Sequence, residues 1–234
     1  MIEAVVFDLD GVLVDSEHVW DEVREELASE RGGRWHEGAQ ADMMGMSSTE
    51  WSHYMRDVIG LPGPPAEINA EVVRRMQRRY AEHLPLMEGA IQAVRRLSGA
   101  FRLGLASSSN RPLIDAVLSA AGLASFFEAT VSSEEVVRGK PAPDVFVEAA
   151  RRLGIAPERC AAVEDSSNGI RAAHAAGMRV VAIPNRRYPP PGEVLALAAV
   201  VLDSLVDLTI EAVAGRPTPR GHHPPPRNER NAAT

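Results

Sequence analysis

The chain lacks the usual features of exported and membrane-anchored proteins. Its 234 residues include a single cysteine, Cys160, so an intrachain disulfide is impossible and a reducing compartment is expected. It has no apolar run near the roughly 20 residues that span a bilayer, and its first residues lack the basic segment of a signal peptide. These absences predict a cytoplasmic protein without a membrane partner.

An excess of positive charge is missing as well. The formal net charge is −7 at pH 7, which argues against binding to nucleic acid. One helical segment carries Arg74, Arg75, Arg78 and Arg79 on one side, and a solvated helix face is the simplest interpretation of this basic row. Residues 215–234 contain five prolines and four arginines without apolar periodicity, which predicts a disordered tail.

Two aspartates follow the first predicted strand. The apolar run Ala4–Phe7 is typical of a strand buried on both faces of a parallel sheet. Asp8 and Asp10 come where this strand ends, and their spacing points both carboxylates the same way in an extended chain. Ligands of open α/β sheets bind at such strand ends. The pair therefore predicts a Mg²⁺ site with one aspartate free to attack phosphorus; a simple strand-ending turn is the alternative.

The rest of the chain divides into two kinds of segment. Residues 15–84 show helical periodicity without a convincing strand, and we expect a small helical insertion there. In residues 85–214 helices alternate with strands, which are predicted at 102–106, 129–132, 160–163, 180–183 and 200–202. This alternation predicts an α/β fold with a doubly wound parallel sheet. The expected domains are a core of residues 1–14 and 85–214 and a helical cap of residues 15–84.

Polar residues also follow the second predicted strand. Ser107, Ser108 and Asn110 stand at a helix start, where hydroxyls and backbone N–H groups can cradle a phosphate. An ordinary helix cap is the alternative. Lys140 lies in a loop between a glycine and a proline, where it can offset the charge of carboxylates and phosphate, although a surface lysine could stand there too.

A second acidic pair, Glu164 and Asp165, ends the strand predicted at 160–163 and suits a metal that takes oxygen ligands. A turn with an aspartate cap is the alternative. Doubly wound sheets bring the ends of their strands to one rim. The four alternatives, namely two turns, a helix cap and a surface lysine, would therefore all have to hold independently at the same place. The sequence therefore favours a single site.

Taken together, these stretches resemble the four motifs of the haloacid dehalogenase-like hydrolase superfamily. The matching residues are DLDGVLVDS at 8–16, Ser107, Lys140 within GKPAPD, and VEDS at 163–166. The branch most similar contains phosphoglycolate phosphatases, sugar-phosphate phosphatases and β-phosphoglucomutase, and the resemblance covers about residues 1–205. It implies a Rossmann-like core with a helical cap inserted between the first two motifs.

The resemblance also implies roles for individual residues. Asp8 would be the nucleophile that forms an aspartyl phosphate, Asp10 the general acid and base, and Lys140 the charge-balancing lysine. The residues expected to bind the substrate phosphate are Ser107, Ser108, Asn110 and Lys140. The residues expected to hold Mg²⁺ are Asp8, Asp10 through its backbone carbonyl, Glu164 and Asp165.

These residues predict a Mg²⁺-dependent phosphatase of a small phosphorylated metabolite, with a monomer favoured. A phosphomutase is the alternative, but the mutase has a histidine where this chain has Trp20, and the loop at residues 43–49 has no Lys or Arg for a second phosphate. His18 is near in sequence but is expected to point elsewhere on its helix. A catalytically idle binding protein ranks last because no catalytic position is missing.

Overall fold

The computed structural model describes residues 1–44 and 46–215, so the tail predicted at 215–234 lies, apart from its first residue, outside the described residues. The six strands are β1 Ala4–Phe7, β2 Arg102–Ser107, β3 Phe127–Ser132, β4 Cys160–Glu164, β5 Arg179–Ala182 and β6 Val200–Val201. The helices before β2 are α1 Glu17–Glu30, α2 Ala39–Met43, α3 Ser48–Asp57, α4 Pro65–Glu82 and α5 Ala90–Ser98. Those after it are α6 Arg111–Ala120, α7 Asp144–Leu153, α8 Ser167–Ala175, α9 Gly192–Leu195 and α10 Ile210–Ala214.

The strands form one parallel sheet in the order β3-β2-β1-β4-β5-β6. Phe7 at the end of β1 pairs with Leu105 of β2 on one side and with Val163 of β4 on the other. This register places the carboxyl ends of the three central strands side by side, which is where ligands bind in such sheets. The predicted doubly wound, Rossmann-like sheet is confirmed.

Side chains alternate across β1 and pack into two cores. Val5 and Phe7 join the core that contains buried residues of α5 and α6, whereas Ala4 and Val6 join the core formed with α7 and α8. All four residues are fully buried, and each large apolar side chain buried in this way contributes about 1.5–3 kcal/mol. Burial on both faces explains why the first strand is apolar throughout and fixes the position of Asp8 at its end.

Helices α1–α4 lie between β1 and β2, as the sequence predicts. Their apolar residues, among them Leu27, Met55 and Met76, are continuous with the core on one face of the sheet. Two chain segments join helices α1–α4 to the rest of the molecule. The two segments pair with each other through an antiparallel β-bridge between Val14 and Leu86. Among the described residues, every helix is too short or too polar to cross a membrane.

Candidate active site

Asp8 lies at the end of β1 beside a buried lysine. The ammonium Nζ of Lys140 donates to Oδ1 of Asp8 and to Oε1 of Glu164, each at 2.6 Å. The three side chains are almost completely buried. A charge in such surroundings is stable only when it is paired, so this cluster fixes all three side chains relative to one another.

Burial also changes the proton affinities of this pair. It raises the pKa of Asp8 to about 8, with Lys140 opposing the shift and Glu164 and Asp10 adding to it. For Lys140, burial disfavours the charged ammonium, but the attraction of Asp8 and Glu164 outweighs that effect and raises its pKa. The lysine is therefore a fixed positive charge beside Asp8.

Glu164 is held by both of its oxygens. Oε1 accepts from Lys140, while Oε2 accepts from the backbone N–H groups of Asp165 and Ser166 at 3.0 and 3.2 Å and from the Ser166 hydroxyl at 3.1 Å. Gly169 makes room for this carboxylate, because a Cβ there would lie 1.8 Å from Oε1. These contacts hold Glu164 in place beside Lys140.

Asp165 has one oxygen without a partner. Its Oδ2 accepts from Nδ2 of Asn185 at 3.1 Å, whereas the buried Oδ1 has no hydrogen bond from any described residue. Burial, followed by the charges of Glu164 and Asp8, raises the pKa of Asp165 well above its usual value. One carboxylate oxygen from each of Asp8, Glu164 and Asp165 lies within 4.8 Å of the others. An oxygen-binding divalent cation fits this cluster, since it would use the orphaned oxygen and offset the repulsion.

Asp10 faces the same cavity and accepts four hydrogen bonds. Its Oδ1 accepts from the Ser16 hydroxyl at 2.6 Å and from the indole Nε1 of Trp20 at 3.1 Å. Its Oδ2 accepts from the hydroxyls of Ser109 at 2.6 Å and Ser107 at 3.5 Å. The Asp10 carboxylate is therefore held between the start of the helical insertion and the serines at the end of β2.

The residues expected to bind phosphate occupy different places. Ser108 lines the cavity with Asp8 and Lys140, but Ser107 is fully buried and its Oγ accepts from the backbone N–H of Ser109 at 2.9 Å. Asn110 points away from the cavity and donates through Nδ2 to Asn69 and Glu134. Of the predicted set, the structure thus brings Ser108 and Lys140 to the cavity.

Sequence reasoning missed Ser109, which stands in the cavity wall and donates to Asp10. The signal was present, because three consecutive serines place at least one hydroxyl on either side of the chain. Choosing among them requires the backbone path after β2, where only Ser108 and Ser109 face the cavity among the described residues of this run.

The opposite wall of the cavity comes from the helical insertion. It includes Glu17, Trp20 and Arg24 of α1, Gln40 of α2 and Trp51 of α3. The guanidinium of Arg24 lies 4.5 Å from the ring centroid of Trp20 and 4.8 Å from that of Trp51. Apart from Trp20, these residues were not singled out from the sequence. A charged residue four positions after Trp20, on the buried stripe of α1, was the available signal.

His18 lies elsewhere, as expected. It lines a different cavity, together with Glu88 and Asp203, and does not approach Asp8. Trp20, by contrast, lines the cavity that contains Asp8, and its indole nitrogen donates a hydrogen bond to Asp10. The first helix of the insertion therefore offers no imidazole to the cavity.

Several known proteins are similar to this chain. The model of the haloacid dehalogenase-like hydrolases matches residues 2–177. Hexitol phosphatase B of Escherichia coli K12 is 34% identical over 225 residues, which cover 92% of this chain and 97% of the relative. A bifunctional riboflavin kinase/FMN phosphatase of Arabidopsis thaliana is 31% identical over 219 residues; these make up 88% of this chain but 54% of that protein, so the chain spans about half of it.

Among solved structures, a β-phosphoglucomutase from Clostridium difficile superposes with a TM-score of 0.80 at 25% identity. The superposition covers 92% of this chain and 97% of the mutase. CbbY from Rhodobacter sphaeroides, solved with phosphate, gives a TM-score of 0.79 at 28% identity and covers 92% of this chain and all of CbbY.

Proposed function

Because the chain belongs to the haloacid dehalogenase-like hydrolase family, we propose that it is a Mg²⁺-dependent phosphatase acting on a small phosphorylated metabolite. One observation carries this proposal. Asp8, at the end of β1, is bonded to the fixed ammonium of Lys140 and lies close to Asp165, whose orphaned oxygen could bind a cation. A carboxylate so placed can attack a phosphoryl group whose oxygens meet the charge of Lys140 and, when Mg²⁺ is bound, that of the metal. A relative named as a hexitol phosphatase supports a small substrate.

The protein's own residues account for the chemical steps. Asp8 attacks phosphorus in line and forms an aspartyl phosphate, while Lys140 draws charge from the phosphoryl oxygens. Asp10 gives a proton to the leaving oxygen and later takes one from the water that cleaves the intermediate. Ser108 lies where its hydroxyl and backbone can orient the phosphoryl group. Buried surroundings strengthen each of these interactions because little water screens them.

The metal would be held chiefly by Asp8 and Asp165, with the backbone carbonyl of Asp10 as a further oxygen ligand. When bound, Mg²⁺ supplies positive charge that stabilises the phosphoryl oxygens in the transition state. Glu164 fixes Lys140 and, because one of its oxygens lies within 4.8 Å of Asp8 and Asp165, stays a candidate ligand as predicted. The ligand set is all oxygen, which suits Mg²⁺ better than a softer metal.

Helices α1–α4 would act as the cap of this site. Two contacts between the insertion and the rest of the molecule support this role: the Ser48 hydroxyl donates to Glu134 at 3.0 Å, and Asn110 donates to Asn69 at 3.1 Å. A closed cap excludes water from the phosphoenzyme, and its opening would release the product. The cap boundaries at residues 15–84, the monomeric state and the cytoplasmic location stay predictions.

The test is phosphate release from phenyl phosphate by the wild type and by Asp8→Asn, with Mg²⁺ and with EDTA. We expect release only by the wild type with Mg²⁺, because the nucleophile and the metal act in the same step. Wild-type activity that persists in EDTA would contradict the metal requirement. Activity of Asp8→Asn would contradict the choice of nucleophile.

A phosphomutase is the second candidate, and the similarity to β-phosphoglucomutase favours it. Trp20, whose indole is bonded to Asp10, speaks against it because it cannot move a proton as an imidazole does. Incubation with β-glucose 1-phosphate and glucose 1,6-bisphosphate distinguishes the two. We expect inorganic phosphate and no glucose 6-phosphate beyond the small amount of bisphosphate added.

A further inference from the structure

We propose that Phe146 positions the catalytic lysine: the face of its ring holds the ammonium of Lys140 beside Asp8. The inference rests on the phosphatase function proposed above and adds to it a residue that touches neither the substrate nor the metal. Phe146 belongs to α7, is fully buried in the core, and lies outside the described lining of the cavity. It is therefore a positioning residue that acts through Lys140.

The ring contacts the ammonium in addition to two carboxylates. Nζ of Lys140 lies over the ring of Phe146, 4.9 Å from the ring centroid. The same nitrogen donates to Asp8 and Glu164 at 2.6 Å each, which uses two of its three N–H bonds. A cation that has lost its water is unstable against hydrocarbon, whereas the negative face of an aromatic ring attracts it. A ring at this place therefore stabilises the ammonium where an aliphatic side chain would not.

The other buried cation of the described chain has similar surroundings. Lys140 and Arg24 are the two cations that the described residues bury, each with 4% of its surface exposed. The guanidinium of Arg24 lies over the rings of Trp20 and Trp51. Aromatic residues make up only 5% of the chain, so rings at both buried cations indicate that the rings stabilise buried charge as well as fill space.

The presence of a lysine at this position supports the same role. Of the 25 basic residues of the chain, Lys140 is the only lysine, and all others are arginines. A guanidinium is planar and spreads its donors in a fork, whereas an ammonium is a compact charge. A compact charge fits among two carboxylate oxygens and a ring face. The single use of lysine therefore indicates that this position requires an ammonium.

One short segment of chain places both side chains. Phe146 is six positions after Lys140, in the first turn of α7, where its N–H donates to the carbonyl of Pro143 at 3.0 Å. Before the lysine, Nε of Arg138 donates to both carboxylate oxygens of Asp144, at 3.2 and 3.0 Å. This pair ties the loop to the first residue of α7. The ring and the ammonium are therefore held at a fixed distance by local contacts.

The position of the ammonium matters because Lys140 acts through its charge. That charge stabilises the phosphoryl oxygens in the transition state, and such an effect requires groups that are held in place before the reaction. Without the attraction of the ring, the ammonium is free to move relative to Asp8 and to the phosphoryl group. A loss that is specific to the transition state lowers kcat, while KM changes less.

The experiment changes the electrons of the ring and leaves its shape nearly unchanged. Phenylalanine with one, two or three ring fluorines is placed at position 146 by nonsense suppression, and kcat and KM for phenyl phosphate are measured with Mg²⁺. Each fluorine weakens the negative face of the ring, so we expect kcat/KM to fall stepwise, by about tenfold for three fluorines. The loss should lie in kcat, and the melting temperature should stay the same because the packing is retained.

Phe127 is the matched control. Its ring is also buried and packs at 90° to that of Phe7, with 6.1 Å between centroids, whereas the cations that lie over rings in the described chain are elsewhere. The same fluorinated series at position 127 should leave kcat/KM unchanged. Equal kcat/KM throughout the Phe146 series would overturn the positioning role, and so would a loss of the same size in both series.

A measurement without turnover separates this inference from the function itself. Because Lys140 is the only lysine, protein labelled isotopically at the lysine side chain gives one set of lysine signals in its NMR spectrum. The ring current should shift the ammonium protons of the wild type upfield from those of Phe146→Leu, while Phe127→Leu should leave them in place. A wild type that shows this shift but hydrolyses nothing would contradict the phosphatase function and leave the contact standing. The same signal in the wild type and Phe146→Leu would overturn the contact, whatever the activity.

Discussion

The amide of Asn185 is hydrogen-bonded to one oxygen of Asp165, at 3.1 Å, while the other oxygen of that carboxylate has no partner among the described residues. The asparagine is itself anchored, because its Oδ1 accepts from the backbone N–H groups of Arg187 and Tyr188 at 2.9 and 3.1 Å. The orientation of Asp165 is therefore fixed before any cation arrives. Such supporting contacts set metal affinity because a carboxylate held in place loses little freedom on binding.

Removal of this support should weaken metal binding. We expect Asn185→Ala to raise the Mg²⁺ concentration needed for half-maximal phosphate release by about 10–100-fold, the usual effect of losing such a partner. Mg²⁺ titration of activity measures this shift. Asn168→Ala is the matched control, because its amide reaches the carbonyl of Met44 at 3.4 Å instead of Asp165. Equal midpoints for wild type and Asn185→Ala would contradict the positioning role.

Replacement of Gly169 should destabilise the protein although the position is helical. Gly→Ala in a helix ordinarily stabilises by about 1 kcal/mol. Here the added Cβ would lie 1.8 Å from Oε1 and 1.9 Å from Cδ of Glu164, so the carboxylate must move away from Lys140. We expect Gly169→Ala to lower both the melting temperature and kcat. Gly192→Ala, in α9, where a Cβ meets nothing within 4 Å, should be neutral or stabilising. A melting temperature raised in both variants would refute this account of Gly169.

The single thiol should be unreactive in the folded protein. Cys160 begins β4, is fully buried, and burial raises its pKa to about 11. At pH 8 only about 0.1% of a thiol with that pKa is ionised, against roughly a quarter for an ordinary cysteine, and the thiolate is the reactive form. Alkylation by iodoacetamide, followed by mass spectrometry, should therefore be slow for the native protein and rapid in denaturant. Rapid labelling of the native protein would show that β4 is more accessible than the structure has it.

The sequence predicts the sheet and the main side chains of the catalytic cluster because both depend on local patterns. An apolar run buried on both faces ends at Asp8, and the parallel register then places Glu164 beside it. The position of Lys140 in a loop between a glycine and a proline, together with the motif resemblance, predicts a lysine near these residues. Lys140 lies 132 positions after Asp8 in the chain, and the 2.6 Å contact between them depends on the path of the loop after β3.

The parts that the sequence did not predict depend on contacts between elements. Asn110 follows β2 as expected, yet its side chain is drawn to Glu134 and Asn69. Ser109 lines the cavity where Asn110 was expected, and its hydroxyl donates a hydrogen bond to Asp10. Arg24 lies on the apolar stripe of α1 because the indoles of Trp20 and Trp51 enclose it. Trp51 belongs to α3, so the residue spacing within α1 could not predict this contact.

Two chemical steps belong to two aspartates, Asp8 and Asp10, that have a single residue between them. Asp10→Asn leaves the Asp8 nucleophile and the backbone carbonyl intact but removes a proton transfer that contributes about 10²–10⁴-fold. An activated aryl phosphate needs little help from an acid, so Asp8 should still be phosphorylated, whereas hydrolysis of the intermediate should be slow.

The most direct test is intact-mass spectrometry of Asp10→Asn after incubation with such a substrate and a rapid acid quench. We expect a gain of one phosphoryl group, mapped by peptide analysis to Asp8 and missing from Asp8→Asn treated in the same way. A phosphoryl group on any other residue, or the same result for both variants, would contradict it.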